Sequence, residues 1–224
     1  MLGVAEPLVT GSHAADRPPG RYARLDDVKP SIRACRPGDV AVLDRHNPSP
    51  SVASFHAQRY ARQTAGTATY LIAWYGRTPA GHAEINFATH PAAEVARAHP
   101  HCPEIRGLEV FPAHRRSHGI GTALISRAET AARRHGFDHI GLGVAVANNA
   151  AARLYHRLSY RGDLAYHDLY TCLDSLGTRH HFADECVFLT KALPRFTSPR
   201  AWLARLTRTA AHTTTPPGAP RRHM

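Results

Sequence analysis

The sequence predicts a mixed α/β fold in which helices flank one central sheet. The predicted elements follow the order β-α-α-β-β-β-α-β-α-β-β along 224 residues. Within this order, residues 104–146 form a strand-helix-strand unit, whose helix must cross over and pack on the sheet. Two predicted hairpins, over residues 67–87 and 160–192, add further strands. We therefore expect a single domain over residues 31–193 with a mixed sheet.

The first elements are short. A strand is predicted at Ser31–Arg36, and the turn Pro37-Gly38-Asp39 begins a helix with Leu43 on its apolar face. Ser51–Gln63 is predicted to be a second helix, capped by Ser51. A strand and its hairpin partner follow, and then a loop with at most one helical turn. These three segments are Thr67–Tyr75, Ala83–Phe87 and residues 89–103.

The second half of the domain shows clearer periodicity. Apolar residues three and four apart predict a helix at Ile120–His135, and Gly136 ends it. One strand is predicted before this helix and one after it. A further helix and two closing strands joined by a polar loop complete the domain. These elements are Glu104–Phe111, His139–Val146, Asn148–Leu158, Tyr160–Cys172 and Glu185–Ala192.

The two ends of the chain differ from the domain between them. Residues 1–30 are rich in proline and glycine and lack periodicity, so we expect a flexible leader. Residues 194–224 contain six arginines and no acid, and we expect a disordered basic tail. The net charge is +11, and the tail supplies more than half of it. This excess predicts an anionic partner such as CoA, tRNA or another RNA.

The composition also limits the cellular context. No stretch approaches the roughly 20 apolar residues that a membrane helix needs. The four cysteines form no C-x-x-C pair, which favours reduced, mostly buried thiols in a cytoplasmic protein. Histidine is abundant, but its spacing matches no common metal site, so we predict no metal.

The strongest functional signal is LEVFPAHRRSHGIGTALI, residues 108–125. A strand here runs into a short basic loop that begins a helix, and the N–H groups at a helix start attract anions. Gly119 and Gly121 would let a phosphate approach the backbone closely. A Walker loop would need Gly-Lys-Ser/Thr, and a dinucleotide fingerprint would need a glycine at Leu124. The side chains that add charge or a hydroxyl donor are Arg115, Arg116 and Thr122.

Two segments resemble motifs of the GNAT acyltransferase superfamily. Arg116-Ser-His-Gly-Ile-Gly121 is similar to its R/Q-x-x-G-x-G/A loop, and Asn148–Tyr155 is similar to its N-x-x-A-x-x-L-Y helix. Ser159-Tyr160 departs from the usual Gly-Phe after that helix. The resemblance implies a mostly antiparallel sheet with one splayed parallel pair and flanking helices, and acetyl-CoA as the co-substrate.

The resemblance also implies roles for the residues that bind the co-substrate. The main chain of Leu108–Val110 would pair with the pantetheine arm, and the Val110 amide would polarise the thioester carbonyl. The amides of His118–Thr122, which include Ile120, would hold the pyrophosphate, with Arg115 or Arg116 beside it. Asn148 would either bond the pantetheine or only cap its helix.

Glu104 and Tyr155 are the catalytic candidates. Glu104 matches the position of the base in some members and would deprotonate the amine; Glu84 and Glu109 are alternatives. By strand alternation, Glu104 and Val110 are expected to share a face and Glu109 to point away. Tyr155 resembles the family's tyrosine near the leaving sulfur and, with a phenol pKa near 10, would hydrogen-bond to or protonate the thiolate. Otherwise Glu104 is a surface ion-pair partner and Tyr155 a core aromatic.

The sequence leaves three functions open. The first is N-acetylation of a primary amine on a small molecule, such as an antibiotic or a metabolite. The second is acylation of, or transfer from, an aminoacyl-tRNA, with RNA contacts through the basic tail. The third is non-catalytic binding of acyl-CoA. The loops expected to select the acceptor contain few acids, which argues against a strongly cationic acceptor. A homodimer is suggested because closing strands often pair between subunits in similar proteins.

Overall fold

The computed structural model of the protein describes residues 29–194. Nearly all of the predicted leader and tail therefore lies outside the described residues. The strands are β1 (Ser31–Ala34), β2 (Ala68–Tyr75), β3 (Thr78–Asn86), β4 (Glu104–Val110), β5 (His139–Ala145), β6 (Arg161–Leu173) and β7 (Arg179–Ala192). The helices are α1 (Asp39–His46), α2 (Phe55–Thr64), α3 (Ala93–Ala98), α4 (Ile120–Arg134) and α5 (Asn149–Arg157).

The seven strands form one sheet in the order β1-β2-β3-β4-β5-β7-β6. Every neighbouring pair is antiparallel except β4 and β5, which are parallel. This single parallel pair is the one that α4 connects, as a crossover helix requires. The predicted mixed, mostly antiparallel sheet is confirmed.

Alternating side chains on the strands bury two different surfaces. On the surface that we call the α4 face, residues of β2, β3 and β5 pack against α4 in the main core, which contains Leu71, Ile85, Leu124 and Leu142. On the opposite surface, which we call the α1 face, Leu43 packs with Tyr70 and neighbouring apolar residues. The period of two in the strands therefore separates the helices into two layers.

Helix α4 shows why its segment was predictable. Its buried residues recur at the three- and four-residue spacing of one helical face, and Leu124 is 0% exposed. Gly136 follows the helix with φ of +90°, the left-handed conformation that glycine adopts without strain. Tyr160, which follows α5, is fully buried in the same core.

Several predicted boundaries were wrong. β3 begins at Thr78, five residues before the predicted Ala83. The cap of α2 is Ser54, whose hydroxyl accepts from the Ala57 amide at 2.9 Å, whereas Ser51 only closes a short turn with Ala53. The polar loop predicted between the closing strands is mostly strand, and β6 and β7 form a long hairpin. Asp174 tightens its turn by accepting from two backbone amides.

Truncating the centre of α4 tests this arrangement. We expect Leu124→Ala to lower the free energy of unfolding by about 2–5 kcal/mol, because the side chain is completely enclosed and its loss leaves a cavity. Leu176→Ala is the matched control, since Leu176 is 89% exposed, and it should change stability by less than about 0.5 kcal/mol. Urea denaturation gives both values; equal effects would contradict the packing described for α4.

Candidate active site

The parallel strands β4 and β5 separate soon after they meet. They pair only at Glu104 with Gly141 and at Ile105 with Leu142, although each strand has seven residues. The predicted splayed pair is therefore present. The Phe111 amide donates to Ala80 of β3 at 3.0 Å, so the preceding Val110 amide points away from β3 into the gap.

A bulge at Gly107 changes the direction of the side chains along β4. Arg106 lies opposite Glu84 and Glu109 lies opposite His82, so three steps on β4 match two on β3. Gly107 has φ of +52°, which favours glycine at a bulge. Glu104 and Glu109 therefore share the α1 face. The expectation that Glu104 shares a face with Val110 was wrong, because the extra residue reverses the alternation.

The start of α4 borders a cleft of about 710 Å³. Ser117 and Gly119 both have positive φ, which shapes the loop immediately before the helix. A Cβ atom on Gly119 would meet no atom within 4 Å, so the backbone here is open to a ligand. The cleft is lined by five of the predicted cofactor residues, Arg115, His118, Gly119, Ile120 and Thr122, and by Lys29 and His114.

Other predicted cofactor residues lie outside that cleft. The Arg116 Nε donates to the Val110 carbonyl at 3.3 Å. Gly121 faces the side chains of Val110 and Leu154. The start of α4 is thus packed directly against the end of β4.

Asn148 caps helix α5, which is one of the two roles that the sequence suggested for it. Its side chain accepts from the Ala151 amide at 3.1 Å and caps α5. This bond satisfies one of the amides that a helix start leaves without a partner.

A second, smaller cleft of about 260 Å³ opens where β4 and β5 diverge. It brings together Glu104, Leu108 and Tyr155, which the sequence singled out. Residues that the sequence did not single out complete the lining, namely Arg106 from β4, Tyr166 and Asp168 from β6, and Asp184 and Cys186 from β7.

Glu104 is buried at this second cleft with incomplete hydrogen bonding. Its side chain is only 7% exposed, with His90 Nε2 at 3.4 Å from Oε1 and Arg106 Nε at 3.3 Å from Oε2. Oε2 nevertheless has no hydrogen-bond partner within the described residues. A buried carboxylate oxygen without a partner is costly unless another group reaches it.

The other two glutamates are held by protein groups. Glu84 accepts two bonds from Arg62, at 2.6 and 2.8 Å. Glu109 lies 3.3 Å from His82 Nε2 and accepts from Asn47 at 3.1 Å. The hydrogen bond from His82, with that from Asn47, lowers the pKa of Glu109 to about 2. Both carboxylates are therefore less suited than Glu104 to accept a proton from a substrate.

Tyr155 keeps its proton at neutral pH. Its ring is 8% exposed, and burial raises the pKa of the phenol above the usual value of 10. A phenol in this state is a hydrogen-bond donor to a group in the cleft.

Asp168 and Asp184 are the main functional candidates that sequence reasoning missed. They lie directly opposite one another on β6 and β7. Both are eight residues from Leu176 in the hairpin turn, so this symmetry was a usable signal. The polar loop predicted between Cys172 and Glu185 concealed it, because it placed Asp184 outside any strand.

Two further observations concern metals and membranes. Within residues 29–194, no three His, Cys, Asp or Glu side chains are grouped as a metal site would require. None of the described helices is long and apolar enough to span a membrane.

The fold is shared with solved acetyltransferases. An N-acetyltransferase from Staphylococcus aureus Mu50 is 13% identical with a TM-score of 0.55, over 75% of this chain and 100% of that one. The yncA protein of Salmonella typhimurium, solved with its cofactor acetyl-CoA, is 20% identical with a TM-score of 0.53, over 77% and 98%. The ribosomal-protein-S18-alanine N-acetyltransferase of Escherichia coli is 13% identical with a TM-score of 0.53, over 76% and 97%.

The family assignment comes from the sequence. No match was found among the curated proteins. The profile of the Acetyltransferase (GNAT) family matches residues 39–160, which is more than half of the chain and contains both the loop before α4 and helix α5. The chain therefore belongs to the GNAT acetyltransferase family and is an acyltransferase enzyme.

Proposed function

We propose that this protein is an N-acetyltransferase that moves an acetyl group from acetyl-CoA to a primary amine of a small molecule by direct attack. The observation that carries this proposal is the second cleft, in which a buried carboxylate and a buried phenol, Glu104 and Tyr155, line the same space. An acid and a base beside an open strand edge are the groups that amine acylation needs.

The start of α4 fits the pyrophosphate of the co-substrate. The loop amides of His118–Thr122 and the positive end of the helix dipole favour an anion. Lys29, His114 and Arg115 line the adjoining cleft. The open space at Gly119 lets a phosphate approach without meeting a side chain.

The open edge of β4 connects this loop with the second cleft. Residues beyond Ile105 have no strand partner on the β5 side among the described strands, so their main chain is available to the pantetheine arm. The Val110 amide points into this gap and would stabilise the oxyanion that develops on the thioester carbonyl.

The proton transfers follow from the lining of the second cleft. The Glu104 carboxylate accepts a proton from the substrate ammonium, directly or through a water, which frees the nitrogen lone pair. The nitrogen forms a bond to the carbonyl carbon, and the carbon–sulfur bond breaks. Tyr155 then donates its phenolic proton to the departing sulfur, and the second amine proton restores the Tyr155 phenol, while the proton on Glu104 is released to solvent.

The size of the second cleft favours a small acceptor. Its volume is about 260 Å³, and the β6–β7 hairpin forms one wall. A short aliphatic amine fits such a space more readily than a folded protein surface.

The co-substrate site can be tested with an added charge. We expect Gly119→Asp to weaken acetyl-CoA binding in calorimetry by at least about tenfold, because a carboxylate would stand beside the phosphates. Gly136→Asp is the matched control, since Gly136 also has positive φ and open space but follows the other end of α4. Aspartate tolerates this conformation better than most residues. Wild-type protein that binds no acetyl-CoA would contradict the proposed function, and equal weakening in both variants would contradict the site.

Removing the base should affect turnover rather than co-substrate binding. We expect Glu104→Gln to lower kcat by about 10²–10⁴, while acetyl-CoA affinity stays unchanged. Initial rates of free-thiol release measure this. Glu94→Gln, on α3, is the control and should retain wild-type kcat. A Glu104→Gln enzyme that loses only stability would show that Glu104 is an ion-pair partner.

The two buried tyrosines provide a matched pair for the acid. We expect Tyr155→Phe to lower kcat by at least about tenfold, because the leaving sulfur loses its proton donor. Tyr160→Phe should lower stability without lowering kcat, since the Tyr160 hydroxyl donates to Glu129 at 3.2 Å and lines neither cleft. Rates and thermal denaturation separate the two effects; equal kcat losses would rule out a specific role for Tyr155.

A further inference from the structure

The second cleft is acidic although the protein is basic. Glu104, Asp168 and Asp184 line it with Arg106 as the one guanidinium, in a chain whose net charge is +11. Arg106 forms its ion pair with Glu104, so its positive charge does not neutralise the two aspartates. The expectation that the acceptor region contains few acids therefore fails at this cleft.

Asp168 and Asp184 are placed against each other. They are directly opposite on the β6–β7 hairpin, and like charges in such a pair destabilise a sheet. Among the described residues, the Asp184 carboxylate accepts a hydrogen bond from the Tyr170 hydroxyl alone, at 3.1 Å. Within the described part of the chain, neither aspartate forms an ion pair with a Lys, Arg or His side chain. The fold thus holds two negative charges together that no other described group neutralises.

An independent observation points to a ligand in the same space. The Glu104 side chain is 7% exposed and lines the cleft, and apart from the Arg106 ion pair at 3.3 Å its Oε2 has no hydrogen-bond partner among residues 29–194. The cleft therefore offers a buried acceptor at Glu104 and a pair of carboxylates at the hairpin. The rings of Tyr155 and Tyr166 also line it, and aromatic faces attract cations.

We infer that the acceptor is a small amine carrying at least two positive charges, an inference that rests on the proposed acetyl transfer. Glu104 receives the ammonium group that reacts, and Asp168 and Asp184 bind a second ammonium group further along the same molecule. The second charge fixes the register of the acceptor and selects against monoamines of similar length, because a monoamine leaves the aspartate pair without a counterion.

The test compares two amines and two sets of variants. Free-thiol release from acetyl-CoA is measured with spermidine as a triamine and butylamine as a monoamine. We expect wild-type kcat/KM to be at least about tenfold higher for spermidine. Replacing both charges, Asp168→Asn with Asp184→Asn, should raise KM for spermidine at least about tenfold and leave KM for acetyl-CoA unchanged. Asp163→Asn, exposed on β6, is the matched control.

Each outcome has a defined meaning. Thermal denaturation should show that the double variant is as stable as the wild type or more so, because the like-charge contact is relieved. Equal use of both amines, or an unchanged KM for spermidine in the double variant, would overturn the inference while acetyl transfer itself stands. Binding of acetyl-CoA without acetylation of spermidine would also overturn it. Absence of acetyl-CoA binding would instead remove the proposed function.

Discussion

The separation of β4 from β5 is the constraint on which the second cleft and the open edge of β4 depend. Two residue pairs hold the strands together at one end, and past that point the β4 main chain has no β5 partner. In an ordinary sheet these amides and carbonyls would be consumed by the ladder. The divergence therefore converts a structural strand edge into a binding edge, and it opens the space that Glu104 and Tyr155 line.

A buried polar cluster on the α1 face holds the bulge that accompanies this separation. His82 lies 2.9 Å from the Gly107 carbonyl through Nδ1 and 3.3 Å from Glu109 through Nε2, and Arg59 packs beside it. Burial lowers the pKa of His82, whereas the hydrogen bond to Glu109 opposes that shift. A side chain at position 107 would collide with the Arg59 guanidinium. Glu109 is thus committed to structure, which leaves Glu104 as the carboxylate available for chemistry.

The sequence predicted those parts of the site that depend on local pattern. The loop around Gly119 and the helix after it follow from glycine spacing and from apolar periodicity, and both lie where we expected them. The bulge at Gly107 was missed because it arises from contacts with α2 and β3, which are distant in sequence. The aspartate pair was missed for a related reason. Asp168 and Asp184 are opposite each other only in the register of the full β6–β7 hairpin, and the hairpin was predicted too short.

The two clefts carry opposite charge, and this difference bears on how the two substrates would bind. The cleft at α4 is lined by Lys29, His114, Arg115 and His118, whereas the cleft at β4 is lined by three carboxylates. The proposed polyanionic co-substrate and the proposed cationic acceptor would thereby be drawn to different openings, and neither would compete for the site of the other. The edge of β4 runs from the second cleft to Val110, which Gly121 of α4 faces, and it is the place where the two molecules would meet. Separate entry of this kind suits direct attack within a ternary complex, because both substrates must be bound before the amine can reach the thioester. The same arrangement would let a chain with a net charge of +11 bind the proposed cation, because the nearest groups set the local field of a small cleft and salt screens the distant charges.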